Sequence, residues 1–232
     1  MKYLHPDIKS FRDDMKTNAT IKIVTYGHSW TYEAAVALDK LWASLLKTHI
    51  ESRNPNATLI NSGTPGVETP LAITNLNEKV LSLNPNYCIL CWGINDWGRS
   101  DNEYYDVSTY TNNVQNMINQ IKAIGCKVIM WTDGPVPSST ESYGFVGAVE
   151  DESTYGTNKF IDYHNAEISI AKNNGIYLID SYQQFVDYWS KGVAISSWYH
   201  DNLHFGQTGH SLIYRTMAKH LFFLHSKSKR RF

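Results

Sequence analysis

The stretch KIVTYGHSWT, residues Lys22 to Thr31, decides how the rest of the sequence is interpreted. Apolar β-branched residues over 21–26 predict a buried strand, and the apolar spacing over 30–50 predicts an amphipathic helix. Ser29, in the turn between them, would expose its hydroxyl at the sheet edge, near the positive end of the helix dipole. Such a position suits a nucleophile. It suits a plain helix cap equally, so this stretch alone leaves both interpretations open.

The remaining apolar runs alternate with helical patterns along the chain. Four further strands are predicted, at residues 57–60, 87–92, 127–131 and 176–179. Helices are predicted from a Thr69 cap and Pro70 to residue 83, over 107–124, 160–171 and 182–189, and around Ile213, Met217 and Leu221. This alternation predicts an α/β fold in which helices cover both faces of a parallel sheet. Residues 135–155 are rich in Ser, Gly and Pro and predict a long surface loop, a candidate lid.

Length and composition indicate a folded domain with its own core. The 232 residues, 42% of them apolar, predict a single domain over 1–232, with a polar lead-in at 1–20 and a basic tail at 225–232. A net charge of -1 argues against nucleic acid as a partner. The sequence has no apolar run of about 18 to 20 residues and no signal peptide. We therefore expect a soluble protein, cytoplasmic or part of a larger extracellular or viral assembly, of unpredicted oligomeric state.

The three cysteines, Cys88, Cys91 and Cys126, are too few for a disulfide framework. All three lie in or beside apolar runs, and Cys88 and Cys91 would face opposite sides of a strand. We predict buried free thiols rather than metal ligands or a redox pair. Such thiols are typical of a reducing compartment.

Polar residues follow each predicted strand, at the edge where open parallel sheets bind ligands. They are Ser29, Gly63, Asn95 and Asp133 after the first four strands, and Asp201 and His204 in a loop beyond the fifth. Acyl transfer needs a nucleophile, a base, a group that orients the base, and donors for the oxyanion. Ser29 could attack, His204 could accept its proton, and Asp201 could orient the imidazole. The amides of Ser29 and Gly63 and the side chain of Asn95 could bind the oxyanion.

Four blocks of the sequence resemble those of the SGNH hydrolases, also called GDSL-type esterases. They are GHSW at 27–30, NSGTPG at 61–66, GIND at 93–96 and DNLHFGQTGH at 201–210. The resemblance implies a three-layer α/β/α sandwich with a five-stranded parallel sheet in flavodoxin-like strand order. It also implies a triad of Ser29, His204 and Asp201, with an oxyanion hole of Ser29, Gly63 and Asn95. His28 departs from the family pattern, because aspartate usually precedes the serine.

Other folds and sites fit the sequence less well. An α/β-hydrolase needs G-x-S-x-G, but Thr31 replaces the second glycine, and no Gly-rich nucleotide motif is present. His200 and His210 are alternatives to His204, and we interpret His210 as a structural residue at the start of the last helix. A metal site of Asp201, His204 and His210 lacks further ligands. We expect neither a metal nor another cofactor.

Aromatic residues near the predicted site favour a glycan ester as substrate, because their faces stack on sugar rings. No long apolar groove is evident in the sequence, so we expect a short acyl group, acetyl. A lipid esterase or thioesterase remains an alternative, as does a carbohydrate-binding or structural module without activity. The possible substrate-binding residues are His28, Trp30, Asp96, Trp97, Asp133 and Trp198.

Overall fold

A computed structural model of the protein describes residues 4–32, 36–98, 105–135, 154–155, 158–201 and 203–223. Its strands are β1 (Ile21–Gly27), β2 (Ala57–Asn61), β3 (Tyr87–Cys91), β4 (Lys127–Trp131), β5 (Thr154–Tyr155), β6 (Asn158–Lys159) and β7 (Tyr177–Ile179). Its α-helices are α1 (Pro6–Lys16), α2 (Trp42–Arg53), α3 (Thr69–Lys79), α4 (Ile94–Trp97), α5 (Val107–Ala123), α6 (Phe160–Asn174), α7 (Ser181–Trp189) and α8 (Gln207–Ala218). A π-helical turn, Lys219–Phe223, extends α8.

Five parallel strands form the central sheet in the order β2-β1-β3-β4-β7. This is the flavodoxin-like order that the family resemblance implies, and it is confirmed. Every residue of β3 is buried, and in β1 only Lys22 is partly exposed. The apolar runs are nearly continuous because strands of a parallel sheet are covered on both faces. A separate antiparallel pair joins β5 to β6.

The α-helices pack as two groups on the sheet, which confirms the three-layer sandwich. In one group α2 packs against α8, and α1 contacts the π-helical turn. In the other, α3 packs against α5, and α5 packs against α6. Within the described ranges, no helix is both long enough and apolar enough to cross a membrane.

The predicted helix over residues 30–50 is wrong in its first part. Its α-helix begins only at Trp42, and a 3₁₀ turn precedes it at Leu38–Lys40. Trp30 is fully buried, and its indole N–H donates to the carbonyl of Leu203, 173 residues away, at 3.1 Å. Because this distant contact draws Trp30 into the core, the chain makes a turn there instead of a helix. The predicted helix dipole at Ser29 is therefore wrong as well.

Two further elements differ from the sequence predictions. Thr69 is the first residue of α3 rather than its cap, because its amide and hydroxyl both donate to the Asp96 carboxylate. The polar lead-in contains α1, whose buried residues Ile8, Phe11 and Met15 recur at helical spacing. That spacing was a usable signal.

One remaining sequence prediction is confirmed, and two concern residues that the structure does not describe. The three cysteines are buried and free, as predicted. Most of the predicted loop, residues 136–153, and the predicted basic tail lie outside the described residues.

Candidate active site

The predicted site residues lie beyond the carboxyl ends of the strands. Ser29 follows β1, Gly63 follows β2, and Asn95 lies in the short helix that follows β3. Asp133 comes two residues after β4. Parallel strands bring these positions to one edge of the sheet, as expected for an open α/β fold.

Ser29 lies in a tight turn in which the Thr31 amide donates to the His28 carbonyl at 2.9 Å. The residue is 4% exposed. Within the part of the chain that the structure describes, neither its amide nor its hydroxyl has a hydrogen-bond partner. The hydroxyl and the amide are therefore both available to a bound ester.

His204 and Asp201 form a hydrogen-bonded pair in the loop that precedes α8. The Nδ1 atom of His204 lies 3.0 Å from Oδ2 of Asp201. The other carboxylate oxygen accepts the amides of Leu203 and His204 at 2.7 and 2.5 Å. Partial burial acts to raise the pKa of the Asp201 carboxyl, but these hydrogen bonds outweigh it and lower the pKa. Asp201 is thus a carboxylate that fixes both the backbone and the ring of His204.

Trp30 connects the turn of Ser29 to the loop of His204. Besides its hydrogen bond to Leu203, its ring lies 4.4 Å from that of Phe205, centroid to centroid. The residues that follow Ser29 and flank His204 are therefore in contact. No direct hydrogen bond joins the Ser29 hydroxyl to His204, both of which lie in described segments.

The Asn95 side chain keeps one N–H that no described residue engages, whereas the Gly63 amide already has a partner. One N–H of the Asn95 side chain donates to the Val67 carbonyl at 2.8 Å, which leaves the second. The Gly63 amide donates to Oδ1 of Asn61 at 3.0 Å. A Cβ at Gly63 would lie 2.7 Å from the Cβ of Tyr32, so only glycine fits this close approach. Gly63 therefore has a packing role, and its amide needs a change of partner to bind an oxyanion.

Asp96, in α4, is completely buried against the start of α3. Its two carboxylate oxygens lie 3.1 and 3.3 Å from the Thr69 amide nitrogen. Burial raises the pKa of the Asp96 carboxyl to about 7, although the hydrogen bonds from Thr69 oppose this. Asp96 thus joins α4 to α3 inside the protein.

His28, Cys91 and Asp133 form a buried polar cluster beside the turn of Ser29. His28 Nε2 lies 2.6 Å from Asp133 Oδ1, and the Cys91 thiol donates to the same oxygen at 3.1 Å. One ligand atom from each residue lies within 4.8 Å of the others, so the set could in principle hold a metal. Hydrogen bonds already account for all three groups. The sequence placed both His28 and Asp133 at strand ends but did not reveal their pairing.

Burial removes five of the six possible substrate-binding residues from that role. His28, Trp30, Asp96 and Trp97 are 0% exposed and Asp133 is 2% exposed, so their side chains face the interior. Side chains at these five positions are too buried to contact a substrate as predicted, and we assign the residues to the core. Trp198 differs, because it lines a surface groove of about 490 Å³.

His210 lies buried in the first turn of α8. The Trp42 amide donates to its Nδ1 at 3.4 Å, which links α8 to the start of α2. Burial lowers the pKa of His210 to about 4, and the nearby His204 adds to the effect. His210 is therefore a neutral contact between two helices.

We expect His210 to make the protein less stable in acid. The unfolded chain protonates this histidine at about pH 6.5, well above the folded pKa, so stability falls as pH drops through that interval. In the variant His210→Asn, the amide oxygen can still accept from Trp42 but cannot titrate. Urea unfolding should show wild type losing about 2 kcal/mol relative to His210→Asn between pH 7 and pH 4.5. Parallel pH profiles would contradict this account.

Residues 25–212 match the GDSL-like lipase/acylhydrolase family. No curated protein matches the sequence. Three solved structures illustrate the likeness in fold. The acetyl xylan esterase AlAXEase has a TM-score of 0.71 and 22% identity, over 85% of this chain and 98% of that chain. A catalytic mutant of an acetylxylan esterase from Geobacillus stearothermophilus has a TM-score of 0.72 and 15% identity, over 90% of this chain and 97% of that chain.

The third structure is a lipase/acylhydrolase from Enterococcus faecalis, with a TM-score of 0.65 and 22% identity, over 86% of this chain and 94% of that chain. At these identities the likeness establishes the fold. The family match extends over most of the chain and includes the blocks that carry Ser29, Gly63, Asn95 and His204. The chain therefore belongs to the GDSL-like lipase/acylhydrolase family, the SGNH hydrolases, and is a hydrolase of ester bonds.

Proposed function

We propose that the protein is a serine esterase that removes acetyl groups from a carbohydrate through an acyl-enzyme at Ser29. The observation that carries this proposal is the 3.0 Å contact between His204 Nδ1 and Asp201. It lies in a loop that Trp30 ties to the turn of Ser29. A carboxylate on one imidazole nitrogen orients the ring and supports the other nitrogen as the base, as in a catalytic triad.

The reaction follows from the roles of these groups. Nε2 of His204 accepts the Ser29 proton while the serine oxygen attacks the ester carbonyl. The Ser29 amide and the second N–H of Asn95 donate to the oxyanion. His204 then gives its proton to the departing sugar hydroxyl, which leaves an acetyl group on Ser29. Water, activated by the same imidazole, releases acetate.

The surface groove supports a carbohydrate rather than a fatty acyl chain. Its lining includes Tyr188 and Trp198, and Trp198 precedes the loop that carries His204 in the sequence. Gln207, Ser211 and Arg215 add hydrogen-bonding side chains to its lining. Aromatic faces together with polar side chains suit a sugar, because a sugar ring presents both C–H faces and hydroxyls. Two of the structurally similar proteins are named as acetyl xylan esterases, which agrees with this substrate class.

A comparison of acyl chain lengths tests the proposed acyl group. We expect kcat/KM for p-nitrophenyl acetate to exceed that for the octanoate and palmitate esters by about tenfold or more. The reason is that a site shaped for an acetyl group disfavours a longer acyl chain. Acetylated xylo-oligosaccharides should release acetate, measured by NMR. A preference for long chains, or for acyl thioesters, would indicate the lipid esterase or thioesterase instead. Binding of glycans without any Ser29-dependent turnover would indicate a carbohydrate-binding module.

A further inference from the structure

The Asp133 carboxylate contacts two separate parts of the site at once. Its Oδ1 lies 2.6 Å from Nε2 of His28, the residue before Ser29. Its Oδ2 accepts the amide of Ile94, the residue before Asn95, at 2.7 Å. Asp133 follows β4, whereas the two blocks it joins follow β1 and β3. One side chain thus bridges the block of the nucleophile and the block of the oxyanion donor.

The His28 ring has a defined tautomer. The Trp30 amide donates to Nδ1 at 3.3 Å, so that nitrogen carries no hydrogen. The proton therefore resides on Nε2, which donates it to Asp133. Since the His28 carbonyl also closes the turn by accepting the Thr31 amide, His28 supports the backbone on both sides of Ser29. A carboxylate that orients this ring also orients the turn.

Among the described residues, the three groups that hydrogen-bond to the Asp133 carboxylate are all donors. The Cys91 thiol is the third, at 3.1 Å from Oδ1, and burial holds its pKa well above the ordinary value, so it keeps its proton. Glu167 lies nearby, and burial raises the pKa of its carboxyl well above the ordinary value. An amide in place of the carboxylate would set an NH₂ group against His28 or Ile94. His28 cannot compensate by changing tautomer, because a hydrogen on Nδ1 would face the Trp30 amide.

We propose that Asp133 is a positioning residue of the esterase, one that fixes the distance between Ser29 and Asn95 by holding His28 and Ile94. It touches no substrate and acts only through these two neighbours. The inference rests on the proposed function of Ser29 and Asn95. The pairing with Asp133 also explains why histidine stands at position 28, where the family usually has aspartate. A second carboxylate there would face Asp133 and repel it.

Four variants separate this role from simple core packing. Asp133→Asn breaks the bridge with little change in volume. His28→Asn keeps an acceptor for the Trp30 amide but no longer reaches Asp133, whereas His28→Gln keeps a donor that reaches Asp133. Cys91→Ala is the matched control. It removes an equally buried hydrogen bond to the same carboxylate but leaves the contacts of Asp133 with His28 and Ile94 intact.

We expect Asp133→Asn and His28→Asn to lower kcat for p-nitrophenyl acetate about 100-fold, with KM within about twofold of wild type, because small misplacements of reacting groups cost that much. His28→Gln should lose no more than about tenfold, and Cys91→Ala should stay within about twofold. Phosphonylation of Ser29 by a fluorophosphonate should slow in the same order. Urea unfolding supplies the stability of each variant.

Two results would overturn the proposal. One is an Asp133→Asn or His28→Asn enzyme whose kcat falls no further than that of Cys91→Ala. The other is a loss of kcat that follows the loss of unfolding free energy across all four variants. If Asp133→Asn does not fold, the contrast between His28→Gln and His28→Asn decides the matter. Wild-type turnover no higher than that of Ser29→Ala would instead refute the proposed function, and this inference with it.

Discussion

Ser29→Ala should lose at least about 10³-fold in kcat for p-nitrophenyl acetate, with no change in fold. Without the hydroxyl no acyl-enzyme forms, and only the binding and oxyanion contributions to catalysis are left. The hydroxyl has no hydrogen-bond partner among the described residues, so its removal should change the free energy of unfolding by less than about 0.5 kcal/mol. Initial rates and urea unfolding of purified protein measure the two effects.

Ser181→Ala is the matched control for this prediction. Ser181 is likewise buried, at the start of α7, and its hydroxyl also lacks a hydrogen-bond partner among the described residues. Its variant should keep activity within about twofold of wild type. A Ser29→Ala enzyme that retained a tenth of the wild-type kcat would exclude this serine as the nucleophile.

His204→Ala should lower kcat by a similar factor, about 10³-fold, because it removes the base that activates Ser29. Asp201→Ala should cost less, about 10- to 100-fold, since the imidazole itself remains. The cost has two sources. Asp201 orients the ring, and it also holds the amides of Leu203 and His204. Steady-state rates from pH 5 to pH 9 measure both variants.

His200→Ala is the control for the same loop. Its side chain is exposed, and the residue holds the loop through its backbone amide, which donates to the His204 carbonyl at 2.7 Å. The variant should therefore stay within about twofold of wild type. If His200→Ala abolished turnover while His204→Ala retained it, the base would be His200 and the assignment of the triad would be wrong.

The sheet could be predicted from the sequence because its signals are local. Residues of β3 and β4 form apolar runs bounded by Asn, Gly and Pro, and these runs predict strands without knowledge of the partners. The same holds for the pair of Asp201 and His204, since the two residues are three apart in one loop.

The errors arose where residues distant in sequence determine the structure. The helix after Ser29 begins late because Trp30 bonds to Leu203, and a helical pattern carries no information about that contact. The sequence does not reveal that His28 pairs with Asp133, because the two residues are 105 apart. The hydrogen bond from the Gly63 amide to Asn61 is a local exception, because the two residues are only two apart but the contact depends on the conformation of one turn.

Trapping the acyl-enzyme tests the central claim most directly. Wild-type protein and Ser29→Ala are mixed with p-nitrophenyl acetate, quenched in acid during turnover, digested and analysed by mass spectrometry. The account predicts one added acetyl group, on the peptide that contains Ser29, in the wild-type protein alone. Acetylation at another residue, or rapid Ser29-dependent hydrolysis with no acetyl-enzyme even in single-turnover quenching, would contradict it.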